Sequence, residues 1–268
     1  MQAWLVDALA KHNESDRLQK VFATTSIIAI TAIGAGGFIG AYTGSCRINF
    51  LIEALLYVVA WFFASRHMNG DSEPLVRLKQ STALKASGVA LLQSPALRLC
   101  MVLACFGGCE MVWNQYWTPF FKVTIGQSGL GILWIAIIGA FMIGGICIRQ
   151  MRIKKHQEEK VLSITFFARA FGILLIPLMW SLPFAITAAL IHELGKGAFI
   201  TFSETYLQNH IESGYRATYS SVQALAVALA SSLVLWLVWW GTLDMPANNT
   251  TISMMFIIAG FVAVIGAC

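Results

Sequence analysis

The sequence predicts an all-α integral membrane protein with about eight transmembrane helices, and three observations carry that prediction. The 268-residue chain is 57 % hydrophobic and 12 % charged, with a mean hydropathy of +0.70, whereas soluble domains are about a quarter charged. Its apolar residues gather into long runs, most of them near the roughly 20 residues that cross a hydrocarbon core. The loops between the runs alternate between rich and poor in Lys and Arg.

Residues 4–9 read as the end of a helix and are followed by a polar loop, 11–20. They are too short for a secretory signal and carry Asp7. Two apolar runs follow, 21–44 and 48–65, and then the longest polar stretch, 66–98. There Leu75, Leu78, Leu84, Val89, Leu91 and Leu92 mix with Arg77, Lys79 and Lys85, compatible with either an interfacial amphipathic helix or a solvated linker. Six further runs complete the chain: 99–121, 126–148, 161–180, 182–203, 221–240 and the shorter 252–267. The fifth and sixth of the eight are joined only through Ser181 and Pro183, which predicts an antiparallel hairpin with Pro183 at a helix start.

Grouping alternate loops gives one face fourteen of the eighteen basic residues and the other only Arg47 and Lys122. The positive-inside rule makes the basic face cytoplasmic. The net charge of +5 then reflects loops facing anionic lipid, so a nucleic-acid partner is not expected. The six cysteines lie in or beside apolar runs without CxxC pairing, which argues against a disulfide framework or a zinc site. Sequons at Asn248 and Asn249 fall in an outer loop. The short loops suggest a bacterial inner-membrane protein.

Gly36, Gly40 and Gly44 recur every fourth residue in the first run, and Gly139, Gly144 and Gly145 thin the fourth. Small residues at that spacing let helix backbones touch in lipid, so both sets are expected at helix contacts or at a gate.

Two plus six helices around a long basic linker resemble the major facilitator superfamily from helix five to helix twelve. Residues 4–7 are similar to the end of helix four, and 206–220 with Arg216-Ala217-Thr218 resemble the ten-to-eleven loop. Gly145 followed by Arg149, Arg152, Lys154 and Lys155 looks like the second copy of the family's glycine-and-basic loop motif. Gly36 to Ala41 is similar to the helix-five motif of proton-driven exporters, with Gly37 in place of its proline and Ala41 in place of its glycine. The resemblance implies a secondary, proton-coupled, alternating-access transporter of a small solute. Residues 1–65 would be the end of the N-terminal half, 66–98 a cytoplasmic linker and 99–268 the C-terminal six-helix half. It further implies that helices one to four, the rest of the N-terminal half, are missing and that the chain alone lacks efficient alternating access. The alternative is a membrane sensor or scaffold that transports nothing.

Ionisable residues at mid-span cost about 2.5–3.5 kcal/mol on insertion scales and are shielded or functional. Glu110 follows Arg98 by twelve residues, roughly 18 Å along a helix and near mid-core. Glu193 reaches a similar depth on a run of opposite direction, with Lys196 three residues on and on the same face. In the family's layout these runs are helices seven and ten, which line the central cavity. Glu110, Glu193 and Lys196 are therefore candidates for binding substrate or protons, with Trp113, Asn114, Gln115 and Trp117 as polar and aromatic contacts. The competing reading is an ion pair that fixes packing and tryptophans that belong to an interfacial belt. Arg169 falls on peripheral helix nine, where a buried salt bridge or snorkelling is expected, and Glu53 is read the same way. Arg216 is expected to anchor a loop through carbonyls.

Enzymatic motifs fail. His192-Glu193-Leu194-Gly195-Lys196 begins like HExxH but ends in lysine, and no phosphate-binding glycine loop is present, so neither an enzyme nor a cofactor is expected.

Overall fold

The computed structural model describes residues 6, 9, 17–43, 46–67, 79–178, 181–243, 245 and 248–267, and the regular elements among them are all helical. In lipid the backbone must satisfy its own polar groups, which a helix does within one segment. In chain order the helices are α1 (Leu18–Thr43), α2 (Cys46–His67), α3 (Gln80–Gln93), α4 (Pro95–Gly107), α5 (Glu110–Gln150), α6 (Glu158–Leu178), α7 (Leu182–His210), α8 (Arg216–Gly241) and α9 (Asn249–Ala267).

Among the described residues, five stretches are long and apolar enough to cross a bilayer: Pro95–Gly126, Gly129–Gln150, Lys155–Leu178, Arg216–Gly241 and Asn249–Gly266. They coincide with five of the eight expected runs. Helices α1 and α2 carry shorter apolar stretches, Lys20–Gly34 and Ala54–Phe63. Helix α7 has the length, yet its centre holds His192, Glu193 and Lys196. It packs between α5 and α6 and buries residues from Ala185 to Gln208, so protein covers His192 and Glu193 while Ile191 and Leu194 beside them stay exposed.

Residues 79–98 of the long polar stretch are described. Residues 80–93 form α3, which rests on α8 and α4 and buries Ala83 and Ser87, while Leu84, Val89 and Leu92 stay exposed. Leu75, Arg77 and Leu78 lie outside the described residues, as do Trp4, Asp7 and Gly44. The third expected run starts four residues earlier than expected, because Ser94 caps α4 by accepting from Leu97 N–H at 3.4 Å and Pro95 opens it. This run is also two helices rather than one, broken at Gly107-Gly108-Cys109.

Helix α5 is divided at Gly126, whose φ of 66° and ψ of −177° lie in a region essentially reserved for glycine. The turn between the third and fourth runs is thus a single residue. Gly126→Ala is expected to cost about 1–3 kcal/mol, read as a lower midpoint in thermal unfolding of the detergent-solubilised protein.

Helix α7 is the hub of the core, against α5 on one side and α6 on the other, while α9 covers α6 and α1 leans on α5. The approach depends on glycines other than those singled out on the first run. A Cβ at Gly197 or Gly144 would collide with the facing backbone of α5 or α7, at Phe141 and Leu194 respectively. Gly172 meets His192, Gly195 meets Arg169, and Gly260 meets Leu174 in the same way. Gly36 is exposed, with no described atom within 4 Å of where its Cβ would sit. Gly40 lies on α1, and Gly139 also faces open space, whereas a Cβ at Gly145 would sit 3.3 Å from the Thr201 hydroxyl.

Helix α8 shows how lipid and cavity divide one helix. Leu225, Leu229, Leu233, Trp236 and Trp240 are exposed, while Ser220, Gln223 and Ser231 turn inward to a cavity. Trp236 and Trp240 stack at 6.1 Å near its end, as befits a membrane interface. At the start of α9, Asn248 of the sequon pair accepts from Thr251 N–H at 3.1 Å as an N-cap.

Candidate functional site

The break after α4 creates the site. Gly107 leaves its carbonyl free at the end of α4, and Glu110 enters the first turn of α5, where a negative charge suits the positive end of the helix dipole. A Cβ at Gly108 would sit 2.9 Å from the main-chain N and hydroxyl of Ser231, so glycine lets α8 close against the break. A Cβ at Gly107 would crowd the Arg169 guanidinium at 3.3 Å. Arg169 uses that room. From α6 its Nη2 donates to the Gly107 carbonyl at 3.1 Å and to the carboxylate of Glu110, bridging the two helix ends. The Phe166 and Phe199 rings flank the guanidinium at 5.8 and 5.4 Å, within cation–π range.

Lys196 on α7 also pairs with Glu110, and its Nζ lies 3.5 Å from Glu193. Glu193 accepts from the indole N–H of Trp113 at 2.7 Å. His192 donates from Nδ1 to the Arg169 carbonyl at 2.8 Å and packs edge-on against Trp113. Side-chain exposure is 8 % for Arg169, 13 % for Glu110, 16 % for Lys196 and 5 % for Glu193, so an unpaired charge here would have little water to solvate it. Two carboxylates and two cations balance.

A cavity of about 530 Å³ opens beside this cluster between α4, α5, α6, α7 and α8. Its wall carries Glu110, Asn114, Arg169, Ser203, Glu204, Gln223 and Ser231 among apolar residues such as Met111, Phe199 and Leu207. At about that size such a cavity suits a small organic solute. No group of three or more His, Cys, Asp or Glu that could hold a metal occurs among the described residues.

The expected site residues are therefore sorted by position. Glu110 and Asn114 line the cavity, and Glu193 and Lys196 stand behind it. Trp113 is buried and serves Glu193, Trp117 stacks on Trp134 at 5.6 Å, and Gln115 is exposed. Consecutive helix positions diverge by about 100°, so residues 113, 114 and 115 could not share a face. Arg169, expected on a peripheral helix, reaches the centre, and Glu110, with Trp113 and Asn114 rather than a cation one turn along α5, is clamped from two other helices. Arg149 in the last turn of α5 and Arg152 just after it are exposed, the former favourably placed at a helix C-terminus. Buried Arg216 donates to the Ile211 carbonyl at 3.1 Å. Glu53 lies on α2, with its side chain outside the description. Glu204 was not foreseen; it follows the sixth expected run by one residue, and one more helical turn would have included it.

No curated protein and no solved structure matches the chain significantly. The sequence model of the Major Facilitator Superfamily matches residues 1–235, well over half of the chain. With that match and its apolar helices, the chain belongs to the Major Facilitator Superfamily, a superfamily of secondary membrane transporters, and is a multi-pass integral membrane protein.

Proposed function

We propose that this protein carries a small solute through the bilayer at the expense of a proton gradient, with the basic loops on the cytoplasmic side. The observation that supports this reading most is Glu110, a cavity-wall carboxylate held at a helix break by Arg169 and Lys196. A carboxylate so placed answers to both ligands of a coupled carrier. A proton on Glu110 removes its charge and loosens both cations; a solute in the cavity competes for the same partners through its own charge or hydrogen bonds. Because Arg169 also holds Gly107, loosening it releases α4 from α5 at the Gly107–Cys109 turn and lets the two segments move against each other. Asn114 and the hydroxyls of Ser203 and Ser231 supply polar contacts to an uncharged part of the solute.

The test is Glu110→Gln introduced at the native locus, so that any companion segment is made with it. Membrane vesicles loaded with a pH-sensitive dye are challenged with sugars, amino acids and organic cations in turn. Solute-dependent proton flux is expected from the wild type and is expected to be abolished by the substitution. Flux that persists in Glu110→Gln with unchanged pH dependence would sink the assignment, and a wild type inert to every solute would favour a sensor.

A further inference from the structure

Behind the cavity, two hydrogen-bond acceptors lie 3.8 Å apart. His192 is fully enclosed, with its Nδ1 2.8 Å from the main-chain carbonyl of Arg169. A carbonyl oxygen only accepts, so Nδ1 carries the ring proton and the Nε2 of a neutral imidazole presents a lone pair. This Nε2 is buried without a hydrogen-bond partner among the described residues, and Glu193 Oε1 stands 3.8 Å away. The carboxylate already accepts from Trp113 on α5 and approaches Lys196 on its own helix. Opposed lone pairs in a dry interior are unfavourable, since a buried acceptor without a donor costs about 1–3 kcal/mol.

We propose that His192 and Glu193 together form an occluded proton-binding site, distinct from the cavity-wall carboxylate Glu110. One proton from bulk water bonds to Glu193 Oε1 or His192 Nε2 and is shared between them; on release the same proton returns to water. Bound, it converts a carboxylate facing a neutral imidazole into an acid–imidazole pair or the equivalent imidazolium carboxylate. Closing 3.8 Å to hydrogen-bond length moves the carboxylate by about 1 Å.

The groups that face the pair set the balance. They are Trp113 and Glu110 from α5, Arg169 from α6, and Lys196 one turn along α7. Without the added proton two acids offset two bases. With it, the unsatisfied acceptor is gained as a hydrogen bond, and the cluster carries one uncompensated positive charge. Those opposing costs make uptake reversible. Lys196 transmits the result, because it reaches both Glu110 and Glu193. A proton on the pair leaves Lys196 to Glu110, and a cation at Glu110 returns Lys196 to Glu193 and expels the proton.

This inference rests on the proton-coupled reading above, and its test does not depend on transport. The full chain, labelled with ¹⁵N at its five histidines, is titrated in lipid nanodiscs from about pH 5 to about pH 9, the range in which an imidazole is poised. The His192 ring nitrogens are assigned by their loss in His192→Gln, and the infrared carbonyl stretch of protonated Glu193 by its loss in Glu193→Gln. The Nε2 resonance and the acid band are expected to titrate with one midpoint, and Glu193→Gln is expected to move the His192 midpoint by at least about one pH unit. If Glu193→Gln fails to fold, Glu193→Asp withdraws the carboxylate by one methylene and is expected to split the two midpoints. A His192 midpoint unchanged in these variants, or a ring and carboxyl that do not respond to pH, overturns the inference. Proton-driven flux without a Glu193 acid band overturns this site and leaves the role of Glu110 standing. A titrating pair in vesicles that move no protons supports the site and ends the coupled reading.

Discussion

Arg169→Met is expected to destabilise the protein by about 3–5 kcal/mol, the cost of leaving a buried charge without its partner, and a second change, Glu110→Gln, is expected to return much of it. The argument is one of charge balance. Wild type sets Arg169 and Lys196 against Glu110 and Glu193. Removing Arg169 leaves two carboxylates on one ammonium, and removing Glu110 leaves two cations on one carboxylate. Either single variant strands a charge among side chains at most 16 % exposed. The double variant leaves Lys196 with Glu193, already 3.5 Å apart. Arg169→Met also frees the Gly107 carbonyl at the end of α4, so the recovery should stop short of wild type. Thermal unfolding read by labelling of the buried Cys109 thiol measures all four corners of the cycle. A coupling energy near zero would mean that the two residues act independently and that the bridge across the helix break is incidental.

The second large effect is expected at Gly197. Its missing Cβ is what allows α7 to lie against the Phe141 backbone of α5. Gly197→Val places three carbons there and must push apart the two helices that flank the charge cluster. Overpacking of a close-packed interior costs about 1–3 kcal/mol and occasionally more. Lys196, next in the chain, would be drawn off Glu110 as well, so Gly197→Val should lose solute-driven flux together with stability. Gly36→Ala is the contrast. With open space around Gly36, the substitution is expected to gain up to about 1 kcal/mol from helix propensity alone. If both substitutions destabilise alike in thermal unfolding, the first-run glycines pack against something in the assembled membrane protein, as their spacing suggested.

The difference between these two glycines shows where sequence reading ran out. Gly36, Gly40 and Gly44 have the regular four-residue spacing of a helix contact; Gly197 and Gly195 sit in a polar mid-span segment with no such regularity. Spacing states that a helix has a smooth face. Which helix comes to lie on that face depends on the partner's own surface, here the backbone at Phe141 and Arg169 on other helices. Arg169 teaches the same point. Its neighbours in sequence, Phe166 and Phe167, mark an ordinary apolar helix, and nothing local indicates that its guanidinium spans the Gly107–Glu110 break. The broken third run was written in part, since Gly107-Gly108 is a poor helix interior, but the apolar residues on either side hid it within one hydrophobic stretch. The polar centre of α7 was legible at once, because lone charges stand out against an apolar run.

By itself, then, the sequence determined that this is a helical membrane protein and where most of its long helices run, and it singled out Glu110, Glu193 and Lys196 as charges within apolar runs. Each of these follows from local quantities, namely the transfer free energy of successive side chains, the rise per residue of a helix and the sign of the loop charges. Only the tertiary structure decided that Arg169 joins them, that Trp113 donates to Glu193 while His192 bonds the Arg169 carbonyl, and that Glu204 and Gln223 complete the cavity wall. Those relations connect separate helices. They are set by how backbones close over Gly195 and Gly197 and by charge pairing across the gaps that remain, which no single helix encodes.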